Sequence, residues 1–262
     1  LIEGSILDES RLGELMKGVD LVFHLAAMVS VPESMSAPRD CVRMNAEGTL
    51  MVLEAATRAK VRKLCFSSTS AIYGDDPEMP KHEAMVPRPI SPYAITKLDG
   101  EYYCAMFQRQ GWLATACMRY FNVFGPRQDP RGAYAAAVPI FIAKALAGEP
   151  IRIFGDGEQT RDFVFVKDVV AANAFLADSA HSGVYNVAYG KTVTVNWLAE
   201  EIRRRTGTSI AIEHAPERPG DIKHSHASNA RLLATGFRPQ ANLADGLATT
   251  VAWFMAQQSA TR

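Results

Sequence analysis

The sequence has few cysteines, no excess of charge of either sign and no long apolar run. Its 4 cysteines are widely spaced and form no Cys-x-x-Cys pair, which excludes a disulfide-stapled scaffold and favours reduced core thiols in a cytoplasmic protein. Lys plus Arg and Asp plus Glu number 28 each, so no net field exists to hold nucleic acid or an anionic membrane. The most apolar stretch, 133–147, contains Pro139 and Lys144 and is shorter than the roughly 20 residues of a membrane crossing.

Histidine is also scarce, and its spacing gives no metal site. Of 6 histidines, His224 and His226 are two apart with no third ligand nearby in sequence, so no metal is expected. The opening residues, 1–4, carry no basic leader and no cleavage pattern. We therefore expect no signal peptide at this end of the chain.

Strand-like and helix-like segments alternate along the first two-thirds of the chain, a pattern typical of strand–helix–strand crossovers in a parallel sheet. The apolar runs predict strands over 20–25, 63–67 and 113–119, and the longer segments predict helices over 38–60 and 92–110. From about residue 133 the pattern changes to strands over 151–154, 163–166 and 184–187, mixed with helices over 138–146, 195–206 and 243–258. We predict an α/β protein with a larger domain over 1–132 and a smaller lobe, over 133–262, interwoven with it.

The residues with the clearest chemical pattern are Tyr93 and Lys97, which are four apart and share one face at the start of a predicted helix. A lysine ammonium near a tyrosine favours the phenolate and lowers its pKa from about 10. Upstream, Ser67, Ser68 and Thr69 place hydroxyls at the carboxyl end of a predicted parallel strand, where open α/β sheets bind ligands. A hydroxyl beside a phenolate suits proton removal from a sugar or alcohol. The bare Tyr-x-x-x-Lys pattern also fits a packed tyrosine ring and a lysine that reaches solvent.

Ordered motifs along the chain resemble the extended short-chain dehydrogenases/reductases, and within them the nucleotide-sugar 4-epimerases of the NAD-dependent epimerase/dehydratase family. The motifs are residues 20–27, 45–49, 67–74, 91–97, 119–127 and 155–163. The resemblance runs from Leu1 to about Leu247 and implies a Rossmann-like doubly wound parallel sheet followed by a smaller α/β substrate lobe. It also implies a homodimer through the helices over 38–60 and 92–110.

The resemblance implies an isomerase with a tightly bound NAD, which accepts hydride from sugar C4 while Tyr93 removes the proton of the 4-hydroxyl. The resulting 4-keto sugar turns and receives hydride on its other face. In this scheme Thr69 hydrogen-bonds the same oxygen, and Lys97 binds the nicotinamide ribose. The implied catalytic residues are Thr69, Tyr93 and Lys97. The implied cofactor-binding residues are Ile6, His24, Leu25, Ala26, Ala27, Asn45, Ser67, Tyr93, Lys97 and Tyr120.

The chain departs from the family pattern at its start. The family's first strand and glycine-rich phosphate turn are expected to precede Leu1, and no Gly-x-x-Gly-x-x-Gly occurs in the 262 residues. Ser5 stands where an aspartate usually contacts the adenine. Without that turn the pyrophosphate has no helix N-terminus to bind, so a non-catalytic nucleotide-sugar-binding relative is an alternative.

Positions next to Thr69 separate the reactions that the family catalyses. The family's 4,6-dehydratases carry an acidic pair there and its decarboxylases a glutamate, whereas this chain has Ser70 and Ala71. Water elimination needs an extra acid and base, so 4-epimerisation is favoured. A UDP-glucuronate epimerase or decarboxylase remains an alternative.

The resemblance places the nucleotide sugar in the second lobe. The segment 128–136 resembles the branch that acts on UDP-N-acetylhexosamines, and Ser225 occupies the position that bounds the pocket for the sugar's C2 substituent. A serine leaves room for an acetamido group where a tyrosine would clash. We expect UDP-GlcNAc and UDP-GalNAc as substrates, with some tolerance for UDP-Glc and UDP-Gal. The implied substrate-binding residues are Ser30, Ser68, Thr69, Asn122, Arg161, Arg218, Asp221 and Ser225.

Overall fold

The computed structural model describes residues 1–131, 136–217 and 223–261. Its helices are α1 (Glu9–Leu15), α2 (Val31–Ser36), α3 (Pro38–Cys41), α4 (Gly48–Arg58), α5 (Pro92–Arg109), α6 (Ala137–Ala147), α7 (Val166–Asp178), α8 (Val195–Thr206), α9 (Ala230–Ala234) and α10 (Leu243–Thr261). A π-helical turn spans Val42–Glu47 and a 3-10 turn spans Ser70–Tyr73. Its strands are β1 (Leu21–His24), β2 (Lys63–Thr69), β3 (Ala114–Tyr120), β4 (Asn122–Phe124), β5 (Ile151–Phe154), β6 (Thr160–Arg161), β7 (Phe163–Phe165), β8 (Gly183–Val187), β9 (Val193–Thr194) and β10 (Ile212–Ala215).

A parallel sheet in the order β1-β2-β3-β8 forms the centre of the larger domain. Alternate side chains of its strands enter two apolar layers. Leu64 and Phe66 pack with α1, α4 and α5 on one face, whereas Cys65 and Met118 pack with α7 and α9 on the other. Helices on both faces of a parallel sheet make the predicted doubly wound, Rossmann-like fold, which is confirmed.

The outer strand of this sheet is β1. Among the described residues, no strand pairs with the edge of β1 that faces away from β2. Phe23 on this strand and Leu25 just after it are exposed. In the part of the chain that the structure describes, the sheet therefore ends at β1.

The helix predicted over 38–60 is interrupted. The structure has α3, a π-helical turn over Val42–Glu47 and then α4. Asn45 lies in this turn, and its amide is bonded to Met28 and to Thr96 of α5. The spacing of apolar residues in the sequence does not predict this wider turn, because tertiary contacts favour it.

The second lobe has its own apolar core, formed by α6, α8 and α10 against β5 and β7. Short pairs of strands, β4 with β7, β5 with β10 and β6 with β9, frame it. The predicted boundary at residue 132 lies outside the described residues, and β8, although beyond it in sequence, belongs to the central sheet. No helix in the described ranges has both the length and the apolarity that a membrane crossing requires.

Candidate active site

Helix α5 carries two of the predicted catalytic residues, and its start is built from local signals. The Ser91 hydroxyl accepts a hydrogen bond from the backbone N–H of Ala94 at 3.2 Å, and Pro92 occupies the first turn. The buried Ser34 hydroxyl accepts from the N–H of Tyr93 at 3.2 Å. These contacts hold Tyr93 in the first turn, with Lys97 one turn later.

Tyr93 and Thr69 meet at the carboxyl end of β2. Their side chains lie close enough to interact, and the Thr69 hydroxyl accepts from the N–H of Ala71 at 3.1 Å. Burial raises the pKa of Tyr93, and the interaction with Thr69 opposes that rise. The two residues of the predicted proton-transfer pair therefore lie together at the carboxyl end of β2.

Lys97 lies beneath this pair and points at the sheet. Its Nζ donates to the carbonyl oxygen of Ser67 at 2.9 Å and sits 5.0 Å from the centroid of the Phe66 ring. Burial lowers the pKa of Lys97 to about 8. The structure thus differs from the expectation that Lys97 lowers the pKa of Tyr93, because the largest effect on Tyr93 is loss of solvent, which raises its pKa.

Two of the predicted cofactor-binding residues turn inward. His24 is buried, its Nε2 lies 2.9 Å from the Thr49 hydroxyl, and burial lowers its pKa to about 4. Asn45 donates to the Met28 carbonyl at 3.0 Å and to the Thr96 hydroxyl at 3.1 Å, and accepts from the N–H of Met28 at 2.7 Å. His24 is a neutral core residue, and Asn45 joins the loop after β1 to α5.

The other predicted cofactor-binding residues lie around the carboxyl ends of β1 to β3. Leu25 and Ala26 are exposed after β1, and Ala27 is half-buried. The Ser67 and Tyr120 hydroxyls lie 3.2 Å apart, and the Tyr120 hydroxyl is also bonded to the side chain of Asn173. Ile6 packs closely over α4, where a Cβ at Gly48 would come within 2.6 Å of its Cδ1.

Ser68 does not face the site. Its side chain is buried, and its hydroxyl donates to Oε1 of Glu101 at 2.5 Å. Successive strand residues point to opposite faces, so Ser67 meets Tyr120 on one side of the sheet while Ser68 meets α5 on the other. The prediction that Ser68 contacts substrate is therefore not supported.

Substrate-side residues gather where β3 runs into β4. Asn122 Nδ2 donates to the Asp162 carbonyl at 3.0 Å and to the Ser225 hydroxyl at 3.4 Å. The backbone N–H of Ser225 donates to the Thr160 carbonyl at 3.0 Å. The backbone of the 223–225 segment is thereby fixed beside Asn122.

Asp162 organises these loops and was not singled out by sequence reasoning. Its fully buried carboxylate accepts backbone N–H bonds from Tyr189, Gly190 and Ala227 at 2.8, 3.0 and 3.3 Å. Burial raises the pKa of Asp162 to about 6, against these bonds. Its position directly after Arg161, within the motif over 155–163, was the sequence signal that pointed to Asp162.

A cleft of about 690 Å³ opens next to this segment. Its lining includes Asn122, Arg161 and the aromatic ring of Phe154, while Lys144 and Arg152 in the lining are paired with Glu149 and Glu213. Its volume suits a small organic ligand. Arg218, Asp221 and residues 132–135 lie outside the described residues. Ser30, by contrast, caps α2, where its hydroxyl accepts from the N–H of Glu33 at 3.1 Å.

The fold and these residues define an α/β protein of the Rossmann class that carries a threonine, a tyrosine and a lysine at the carboxyl edge of its sheet. Residues 1–188 match the NAD dependent epimerase/dehydratase family. The chain belongs to this family, as the resemblance predicted, and is an NAD-dependent enzyme.

Individual relatives span most of the chain. A UDP-N-acetylglucosamine 4-epimerase from Methanobrevibacter ruminantium, solved with UDP-N-acetylmuramic acid, is 42% identical with a TM-score of 0.94, and the match covers 98% of this chain and 83% of that one. A UDP-glucose 4-epimerase from Mycolicibacterium smegmatis is 38% identical over 97% of this chain and 82% of that protein. A UDP-N-acetyl-alpha-D-glucosaminuronate decarboxylase from Bacillus cytotoxicus is 33% identical over 97% of this chain and 82% of that protein.

The site fits the nicotinamide riboside end of NAD. Within the described ranges, the Lys97 ammonium donates one hydrogen bond, to Ser67, which leaves two N–H bonds for ribose hydroxyls. The 262 residues contain no Gly-x-x-Gly-x-x-Gly turn, so the fit concerns this end of the cofactor.

Proposed function

We propose that the protein inverts C4 of a UDP-hexose through a 4-keto intermediate, with Thr69, Tyr93 and Lys97 as catalytic residues. The observation that carries the proposal is the placement of Thr69 and Tyr93 together at the carboxyl end of β2, with the buried Lys97 one helical turn after Tyr93. Ser70 and Ala71, which follow Thr69, provide no carboxyl group. Elimination of water and decarboxylation are therefore disfavoured relative to epimerisation.

Each residue has a distinct task in this proposal. Tyr93, as the phenolate, takes the proton of the sugar 4-hydroxyl and returns it to the 4-oxygen after the sugar has turned. Thr69 hydrogen-bonds that oxygen in both half-reactions and holds it against Tyr93. Lys97 holds the ribose hydroxyls through the N–H groups that its bond to Ser67 leaves available. When bound, NAD would supply a reversible hydride acceptor, so the reaction would have no net redox change.

The substrate class that we propose is UDP-GlcNAc and UDP-GalNAc, with weaker activity on UDP-Glc and UDP-Gal. Support comes from the small Ser225 side chain, whose hydroxyl accepts from Asn122 beside the cleft. A hydroxyl at this position leaves room for the acetamido group and gives it a hydrogen-bonding partner. Arg161, Arg218 and Asp221 complete the proposed contacts to the diphosphate and ribose.

We propose a homodimer through the helices over 38–60 and 92–110, in the cytoplasm. On α5, Ile95, Tyr102 and Met106 are exposed and share one helical face. Burial of such a face against a second copy removes apolar area from water. Sedimentation of the wild type and of Met106→Glu tests it, with a monomeric variant expected and a monomeric wild type contradicting it.

Proton NMR of the full-length protein with UDP-GlcNAc and catalytic NAD tests the activity. UDP-GalNAc should appear in the anomeric and H4 signals with no net NADH. Parallel samples with UDP-Glc and UDP-glucuronate separate the alternatives, because a decarboxylase releases CO₂ from the latter. Turnover of UDP-glucuronate alone would overturn the substrate assignment, and silence with all three sugars would favour a non-catalytic binder.

A further inference from the structure

A continuous chain of buried polar side chains lies behind the catalytic pair. Ser68 donates to Oε1 of Glu101 at 2.5 Å, and Arg119 donates to both oxygens of the same carboxylate at 2.9 and 2.7 Å. Arg119 Nη1 donates to the Tyr73 hydroxyl at 2.9 Å, and that hydroxyl donates to Oδ1 of Asn186 at 2.6 Å. None of the five side chains belongs to a residue more than 4% exposed.

Such a chain is costly unless every member is satisfied. A carboxylate and a guanidinium lose their hydration when buried, and the ion pair compensates only in good geometry. Here the pair is bidentate, and Arg119 also lies 5.0 Å over the Tyr73 ring. A buried ion pair is weak support for stability in itself. The elements that these side chains connect therefore indicate their role better than their contribution to stability does.

One end of this series of buried polar side chains holds Thr69 and Tyr93, the catalytic pair, together. Ser68 directly precedes Thr69 at the end of β2, whereas Glu101 lies on α5, eight residues after Tyr93. The bond between Ser68 and Glu101 thus ties the strand that carries the threonine to the helix that carries the tyrosine.

The other end reaches the substrate side. Asn186 Nδ2 donates to the carbonyl oxygens of Lys81 at 2.9 Å and Ser228 at 3.1 Å. Ser228 is three residues after Ser225, which lies beside the cleft. This series of buried polar side chains therefore extends from the catalytic pair to the segment proposed to recognise the sugar.

We propose that Ser68 and Tyr73 are positioning residues, which act through Glu101 and Arg119 to set the place of Thr69 relative to Tyr93. This inference rests on the proposed function. The pair must hold one oxygen between two hydroxyls, and a misplacement of about 1 Å can cost up to about 100-fold in rate.

The test is Ser68→Ala and Tyr73→Phe in the full-length protein, which leave the Glu101–Arg119 pair in place. We expect kcat to fall by about 10-fold in each, with KM for the UDP-sugar and the amount of bound NAD unchanged. The matched control is Tyr185→Phe, because Tyr185 is also buried and its hydroxyl contacts the Ser182 carbonyl and Arg231, outside the series of polar side chains behind the catalytic pair. It should lose comparable stability in thermal unfolding and keep its kcat.

The double variant of Ser68 and Tyr73 adds a second readout. Residues that act through one chain are not additive, so the double variant should lose little more kcat than either single variant. Effects that multiply, or an unchanged kcat beside an active wild type, would overturn the inference alone. A raised KM with normal kcat in Ser68→Ala would mark Ser68 as a substrate ligand instead. A wild type without turnover on any UDP-sugar would remove the proposed function as well.

Discussion

Gly100 is where the catalytic helix comes closest to the sheet, and its replacement by alanine should damage both stability and activity. A Cβ at this position would lie 2.4 Å from Cζ of Phe66, with Cε1 and Cε2 at 2.8 and 3.1 Å. Carbon atoms normally approach to about 3.5–4.0 Å. Phe66 is fully buried, so its ring has no free space to enter. The ring and α5 must therefore separate by about 1 Å.

The energetic balance follows from two opposing effects. Overpacking of a core costs about 1–3 kcal/mol, whereas replacing a helical glycine by alanine returns up to about 1 kcal/mol. We expect Gly100→Ala to lower the free energy of unfolding by about 1 kcal/mol in urea. Because Lys97 lies over the same ring and Tyr93 is on the same helix, kcat should fall by about 10-fold to 100-fold.

Two further variants test whether the close contact between Gly100 and Phe66 causes these losses. Gly13 in α1 has no atom within 4 Å of an added Cβ, so Gly13→Ala should be neutral or stabilising. Combining Gly100→Ala with Phe66→Leu should restore part of the stability, because the smaller side chain makes room for the methyl group. If Gly100→Ala instead stabilises the protein as Gly13→Ala does and leaves kcat intact, the close contact is not a constraint.

Three more predictions concern the site itself. Tyr93→Phe should reduce kcat by about 100-fold or more, since the proton-transfer group is lost, while Tyr103→Phe on the same helix should not; equal rates would reject the assignment. Ser225→Tyr should suppress turnover of UDP-GlcNAc far more than that of UDP-Glc, and equal losses would contradict the pocket argument. Lys97→Met should abolish turnover yet raise stability at pH 7 by about 1–2 kcal/mol, because burial lowers the pKa of Lys97 from 10.5 to about 8. The gain should be complete below about pH 8 and fade as pH approaches 10.5, where the unfolded lysine is neutral too; a less stable variant at pH 7 would refute it.

The elements that sequence patterns predicted are those with local signals. The buried strands of the central sheet and α5, with its Ser91 cap and Pro92, lie where expected to within a few residues. Helix α7, over Val166–Asp178, was missed because it follows β7 directly and Phe165, at its cap position, offers no capping side chain. The π-helical turn was missed because the tertiary contacts of Asn45, and not the local sequence, accompany it.

Side-chain direction was the harder part of the site to predict. Ser67 was expected to bind the cofactor and Ser68 and Thr69 the substrate, whereas strand geometry sends Ser67 and Ser68 to opposite faces of the sheet. The alternation was readable in the sequence, but the partner of Ser68 was not. Glu101 is a buried acid on α5, the helix that also carries Tyr93 and Lys97. Its ion pair with Arg119 is visible in the folded structure and not in the sequence.

The proposed cofactor contacts and the proposed sugar recognition meet within a few residues of one segment, over 120–122. Tyr120 ends β3 and bonds to Ser67 on the cofactor side, and Asn122 begins β4 and bonds to Ser225 on the substrate side. Phe121 between them is buried against Tyr73, which belongs to the polar chain behind the catalytic pair. Because packed interiors resist small displacements, a shift of the sugar-side segment cannot be absorbed by this short connection. We therefore expect substitutions on either side to change both kcat and the preference between sugars.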